Sequence, residues 1–551
     1  MNVKNTLLKN FQIIYLLKSC YAASNPFKLV NFDISPTSAA HLPNGNILIW
    51  IGATKGTTGQ DQNALITNYQ IIGNDGRDVS DGFAKHINLG EMFCTGTSNL
   101  PNGDLLINGG SNMESTILFS YKTSTFAKTT SMSRPRGYNA NCVTTDNRIF
   151  TLGGEWGPDG NSGTDYYGEI MTLNKNGSNV WQPIKKVSGS VAGAVDSPND
   201  DQSNQNHMWI FPFKDTNNKH RVFKAGPSPN MHVIDLATGT MKYIGKRGSD
   251  KMGIQGTAVQ FAPGKILTLG GTAYQDNPSD NEYIQASKIA FIVDINPMIT
   301  NLNAVPTIKG PITRSFRRVC HNAVVLPGGK VLVVGGQTNL QKWTDNFAVL
   351  QPELFDPTTN TFIVSNGTLK YARNYHSVAL LLKDGRVLVT GGGSDFTGIG
   401  CDVSTKGCST HFDGEIYTPP YLQGVPESKR PIIVSVLNSV NTNECASNEL
   451  DLTISKCKTV AVTMTKNACG SGGVTGCTFE LIRLSSVTHS INNDQLRIPL
   501  VLNAQKNLNT ALVSISTTSM PFVVSGYYHL FAINKSTAVP SIALVIRVNR
   551  N

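Results

Sequence analysis

At 551 residues the chain is longer than one hydrophobic core usually serves, so two or more domains are expected. Glycine supplies 51 residues and only 15% of the chain is charged, a balance that favours turn-rich β structure over helical bundles and argues against disorder. The net charge of +10 is spread without a clustered basic run, which gives no footprint for nucleic acid. It reads as a solubility feature, with attraction to an acidic polysaccharide or cell wall as the alternative.

Lys4 and Lys9 precede the apolar stretch from Phe11 to Leu17, and Cys20-Tyr21-Ala22 places small residues where a signal peptidase reads. Residues 1–22 are therefore expected to be a signal peptide, the alternative being a frayed extension. No later stretch is long and apolar enough to span a bilayer. Asn176, Asn366 and Asn534 open N-x-S/T sequons, which matter in a secreted chain.

From there the sequence repeats itself. NGNILIWIG (44–52), NGDLLINGG (102–110), DNRIFTLGG (146–154), PGKILTLGG (263–271), GGKVLVVGG (328–336) and DGRVLVTGG (384–392) share a turn, an apolar strand and a glycine stop. Recurrence every 44 to 65 residues reads as blades of a kelch-like β-propeller. The long interval from 154 to 271 holds a degenerate repeat, HMWIFPF through HVIDLATGTMKYI. Seven blades over residues 25–425 is the expectation. After Arg430-Pro431 the glycine signal stops, and short alternating strands (IIVSVL, LDLTI, FELIRL, YYHLFAI, IALVIRV) predict an immunoglobulin-like β-sandwich over 426–551. The fold class is thus all-β.

Cleavage after Ala22 leaves nine cysteines. Cys401/Cys408, Cys445/Cys457 and Cys469/Cys477 are close in sequence among loop-forming residues, as disulfides of an exported protein would be. Cys142 and Cys320 either pair or stay as buried thiols, and Cys94 needs another fate.

Aligning the repeats on their second glycine exposes the chemistry. Cys94, Tyr138, Cys320 and His376 each lie sixteen residues before Gly110, Gly154, Gly336 and Gly392 respectively. Each begins the innermost strand of its blade, so the four point to a common axial region. Singly, any of them is more often an ordinary core residue. Together they assemble three reactive types in one place.

On these residues, and on the segments EMFCTGT, RPRGYNANC, GGEWG, ARNYHSVALLLKDGRV and VTHSINNDQLRIPL, the chain resembles the galactose oxidase and glyoxal oxidase family of copper-radical oxidases over nearly its whole length. The resemblance implies a redox-active Tyr138 joined through its ring to the sulfur of Cys94 and covered by Trp156. It implies copper held by Tyr138, Tyr375, His376 and His489, with Tyr375 axial and acting as general base. His489 lies in the second domain, which would have to insert a loop along the propeller axis. His207, Tyr274, Gln275, Trp343 and Phe93 match substrate-pocket positions, whereas Ser203 stands where an arginine would grip sugar hydroxyls. Galactose-type alcohols and glyoxal-type aldehydes both remain open.

The chemistry agrees with these roles. Imidazole and phenolate suit Cu(II), and a two-electron oxidation needs a second one-electron store beside a metal that changes by one. Adjacent Tyr375 and His376 can share a metal only where the backbone departs from a regular strand. The implied protein is a secreted monomer that oxidises a small alcohol, aldehyde or carbohydrate with O2 to give hydrogen peroxide. The rivals are a non-catalytic kelch-type glycan-binding or adhesion propeller, and a homologue that binds copper without forming the radical. A scaffold has no need of these five side chains at these places.

Overall fold

The computed structural model describes residues 25–50, 68–73, 85–86, 92–110, 114–155, 164–173, 179–193, 207–249, 253–272, 284–393, 410–438, 446–465 and 468–550. Among these, seven antiparallel sheets form the blades of a propeller. The innermost strands begin at Ser38–His41, Gly96–Asn99, Ala140–Val143, Trp209–Lys214, Thr257–Ala262, Val319–Val325 and Ser377–Leu381. In the sixth blade, Val319–Val325 and its neighbour Val331–Gln337 are buried throughout, while the outermost strand Thr361–Val364 is largely exposed. Inner strands are covered on both faces by adjacent blades and read as continuous apolar runs. The N-terminal strand Phe27–Asn31 pairs with Asp413–Tyr417 in the seventh blade, so the first and last propeller segments close the ring in one sheet and leave no open edge there.

The diglycines explain how the blades interlock. Gly335 and Gly336 have φ of 70° and 81°, and Gly391 and Gly392 have 69° and 119°, values a side chain rarely adopts. Freed of Cβ, the turn lets backbone meet backbone. Gly110 N–H donates to the Arg136 carbonyl at 2.9 Å, Gly271 to Arg318 at 3.1 Å and Gly336 to Arg373 at 2.7 Å. Each arginine belongs to the following blade and reaches its own blade's diglycine carbonyl: Arg136 to Gly153 O, Arg318 to Gly335 O and Arg373 to Gly391 O. The charges are matched, with Arg136 on Glu169 at 2.7 Å and Arg318 on Glu353 at 2.8 Å, all fully buried. One repeated device therefore fixes both the turn and the blade interface.

The fourth blade, Trp209–Lys214, His220–Gly226, Asn230–Asp235 and Thr240–Lys246, is the degenerate repeat. It lacks the diglycine; Arg247 N–H groups instead hold the carbonyls of Ala225, Pro227 and Ser228.

The C-terminal strands from Ile433–Asn438 to Leu544–Asn549 make a sandwich-like array. Its two halves are joined by the long strand Arg497–Asn507, which pairs at one end with Cys477–Arg483 and along the rest with Thr510–Ile515. Its core, including Val460, Val462, Leu481, Tyr528 and Leu530, is continuous with Trp209, Phe211 and Phe213 of the fourth blade.

Cys469 and Cys477 form a disulfide, and Cys457 is disulfide-bonded. Cys401, Cys408 and Cys445 lie outside the described residues. Cys142 and Cys320 are separate buried thiols, as is Cys94. Among the described residues, no helix is long and apolar enough to cross a membrane.

Candidate metal centre and active site

Six consecutive blades open their innermost strand with one residue in the left-handed conformation: Cys94 (φ 59°), Tyr138 (56°), His207 (50°), Gln255 (55°), Cys320 (56°) and His376 (67°). This costs roughly 1–2 kcal/mol for each non-glycine residue, and such strain persists only where the surroundings impose it. Here the backbone ring imposes it. Tyr138 N–H donates to Cys94 O at 2.7 Å, His207 N–H to Tyr138 O at 3.0 Å, and Cys320 N–H to Gln255 O at 2.7 Å. The same turn resolves the difficulty of Tyr375 and His376: with His376 left-handed, their rings stack at 3.9 Å between centroids.

The seventh component comes from the C-terminal sheets. Residues 486–496 run through the middle of the propeller and touch blade after blade. Ser486–Thr488 pairs with Ser38–His41 of the first blade, Asp494 accepts from Asn99 N–H, and Asn493 donates to the carbonyls of Asn141 and Met208. Thr257 donates to Ser490 O, and Gln495 donates to Ala323 O while accepting from Val325 N–H. His489 (φ 49°) and Ser490 (φ 68°) form the turn of this loop, so the polar side chains around it place His489 on the axis.

Five expected residues meet there. The Tyr138 and Tyr375 hydroxyls are 2.7 Å apart. The Cys94 sulfur lies 3.4 Å from His489 Nε2 and interacts with the Tyr138 side chain. The donor atoms of Cys94, His376 and His489 fall within 4.8 Å of one another. His376 Nδ1 is 2.8 Å from the Gly393 carbonyl, which requires Nδ1–H and leaves Nε2 as a lone pair. That Nε2 is buried and has no hydrogen-bond partner among the described residues. His489 Nδ1 is 2.6 Å from the Thr488 hydroxyl, so its Nε2 is likewise turned to the centre. Imidazoles oriented by a second hydrogen bond are the usual form of metal-ligating histidine.

Burial sets the protonation states. Desolvation pushes His376 and His207 down to about 3 and His489 well below the ordinary histidine range, holding all three neutral. Desolvation raises the Cys94 thiol and the Tyr138 and Tyr375 phenols well above theirs. An orphaned imidazole nitrogen, a second imidazole nitrogen aimed at the same point and two touching phenols fit a divalent copper ion, whose charge would favour their deprotonated, coordinating forms.

The pocket residues divide. Phe93 meets His376 edge-on at 5.3 Å, and His207 packs on Tyr138 at 4.7 Å and His489 at 5.1 Å. Trp343 stands edge-on to Tyr375 at 5.2 Å and His376 at 5.0 Å and is 37% exposed, so it marks the solvent side. Trp156, Ser203, Tyr274 and Gln275 lie outside the described residues. Gln255 is a ring member of no reactive type, and it sits sixteen residues before Gly271, in the same phase as Cys94 and Tyr138.

Comparison with known proteins gives a consistent picture. The family Glyoxal oxidase N-terminus matches residues 263–421, and the family Galactose oxidase-like, Early set domain matches residues 442–548. A galactose oxidase from Gibberella zeae is 31% identical over 544 residues, covering 95% of this chain and 70% of that protein. The aldehyde oxidase GLOX1 of Arabidopsis thaliana is 25% identical over 379 residues, 63% of this chain and 56% of that one. A fungal alcohol oxidase solved in complex with copper superposes with a TM-score of 0.74 at 28% identity, covering 95% of this chain and 98% of that chain.

Proposed function

The chain belongs to the galactose oxidase family, and from that premise we propose that it is a copper-radical oxidase whose centre is formed by Cys94, Tyr138, Tyr375, His376 and His489. It oxidises a small primary alcohol or aldehyde with O2, giving the aldehyde or acid and hydrogen peroxide. The observation that carries this reading is the meeting of two phenols, two oriented imidazoles and a thiol at one buried point supplied by three blades and the axial loop.

His376 and His489 would hold copper through Nε2, with the oxygens of Tyr138 and Tyr375 completing the set. Bound copper supplies acceptance of one electron and an electrophilic seat for the substrate oxygen. The chain supplies the rest. Tyr375 takes the hydroxyl proton of the substrate as general base. Tyr138, oxidised by one electron beforehand, takes a hydrogen atom from the reacting carbon, so two electrons and two protons leave the substrate and end in hydrogen peroxide. The Cys94 sulfur, joined to the Tyr138 ring, extends the π-system over which the radical spreads, and the family resemblance gives Trp156 the role of shielding it from water.

Ser203 in place of an arginine removes the fixed fork that grips two sugar hydroxyls, so small aldehydes and simple alcohols are favoured over galactose. The disulfide chemistry and the leader-like segment 1–22 support export to an oxidising compartment.

The covalent link is the direct test. Formation of the C–S bond removes one hydrogen from sulfur and one from the ring, with O2 as oxidant. After copper loading and full reduction of disulfides, the Cys94 and Tyr138 peptides should remain joined and be lighter by two hydrogens than their sum. Separate peptides, together with normal peroxide release from Cys94→Ser, would sink the radical-oxidase reading.

A further inference from the structure

Gln255 is 1% exposed, and among the described residues neither its amide nitrogen nor its amide oxygen has a hydrogen-bond partner. Leaving a buried amide unmatched costs about 1–3 kcal/mol, so a position that retains one implies a group that completes it. The setting locates that group. Gln255 occupies the left-handed seat between His207 and Cys320, and the seats on either side turn their side chains inward: His207 onto Tyr138 and His489, and Cys320 into the buried cluster that holds Tyr375. Its carbonyl is tied to Cys320 N–H at 2.7 Å. Two residues later, Thr257 holds the carbonyl of Ser490, the neighbour of His489. Gln255 thus holds the same seat from which Cys94, Tyr138, His207 and His376 reach the proposed copper centre.

We infer that Gln255 is a substrate-positioning residue whose amide hydrogen-bonds a second hydroxyl of the substrate, next to the reacting carbon. This rests on the oxidase reading above and adds the substrate class. An amide offers donors and an acceptor together. Its complement is a hydroxyl, which both donates and accepts; a lone carbonyl or ether oxygen would satisfy only the donor side. Vicinal diols and 2-hydroxy aldehydes carry such a hydroxyl beside the carbon that reacts. Simple monoalcohols do not, and bind with the amide still unmatched.

The test compares 1,2-propanediol with 1-propanol, which differ only by that hydroxyl, in the wild type, in Gln255→Met, which keeps length without hydrogen bonding, and in Gln255→Asn, which retracts the amide by one carbon. Two quantities are read: KM and kcat from peroxide release, and the dissociation constant of each alcohol from the visible absorption of the copper-loaded, radical-free protein without O2. In Gln255→Met the diol should lose about tenfold in both KM and dissociation constant, with kcat and copper stoichiometry retained and 1-propanol changed by less than threefold. Gln255→Asn should fall between. Equal effects on both alcohols, which a purely structural role or an internal water would give, overturn the inference, as does no effect on either. If the wild type binds copper and the diol but releases no peroxide, the oxidase reading fails, and the dissociation constants alone still decide the role of Gln255.

Discussion

At the scale of single residues, the centre was legible wherever reactivity and repeat phase coincided. Cys94, Tyr138 and His376 share one distance to a diglycine, and the structure brings their side chains together. Gln255 shares that distance too, yet an amide has no redox or acid–base chemistry to draw attention, and only its buried, unmatched state distinguishes it. The left-handed turn at His376 was readable only as a requirement: two neighbours had to face one site, and φ of 67° is how they do. The ligand roles lead to a measurable expectation. In the proposed centre each of His376 and His489 would contribute one of two nitrogen donors, and His376 Nε2 has no other partner among the described residues. His376→Ala and His489→Ala should each weaken copper binding by at least about a hundredfold, since even loss of an outer partner of a ligand costs 10–100-fold. Metal analysis after dialysis against a weak chelator checks this, and stoichiometric copper in either variant would overturn the assignment.

At the scale of elements, the diglycine is the feature that made the blades readable, and its physical cause lies partly in the next blade. A Cβ on Gly335 would come within 2.5 Å of the Arg373 carbonyl while φ is 70°. Composition announces the turn, but nothing in the local sequence announces the arginine across the interface. The fourth blade shows the limit of that signal: with Gly226-Pro227 and Arg247 doing the work of a diglycine, its strands are regular while its sequence signature is weak. Gly335→Ala should therefore destabilise the propeller by about 2–4 kcal/mol, combining backbone strain with displacement of a buried interface. Denaturant unfolding of the metal-free protein measures it. A loss under 0.5 kcal/mol, the range of an ordinary surface change, would show that the close approach is not structurally important. The loop 486–496 was foreseen only through His489; its contacts with Asn141, Met208 and Ala323 come from Asn493 and Gln495, whose partners are 172 to 352 residues away.

At the scale of the whole molecule, propeller and C-terminal sheets would work as one unit in the proposed enzyme, because the axial loop bonds to successive blades and brings the proposed ligand His489. A chain ending at residue 425 should accordingly release no peroxide even when copper-loaded, and full activity in that chain would refute the shared-site view. The junction also carries a pH dependence. His41 of the first blade is buried, accepts from Ser485 N–H at 3.1 Å and lies 2.6 Å from the Leu381 carbonyl, so a neutral ring with one donor and one acceptor joins the first and seventh blades to the axial loop. Desolvation lowers its pKa to about 4, and His529, 5.3 Å away, is lowered in the same sense. Because the folded value lies below the unfolded one of 6.5, the unfolded chain binds the proton first as pH falls. The stabilisation is complete above pH 6.5 and declines between 6.5 and 4, by roughly 3 kcal/mol for His41 at about 1.4 kcal/mol per pKa unit. Unfolding of the metal-free protein at pH 7 and pH 4.5 should show this loss. His41→Gln, whose amide keeps one donor and one acceptor but does not titrate, should be less stable than the wild type at pH 7 and lose less on acidification. If wild type and variant decline in parallel, His41 is not the group that links pH to the junction.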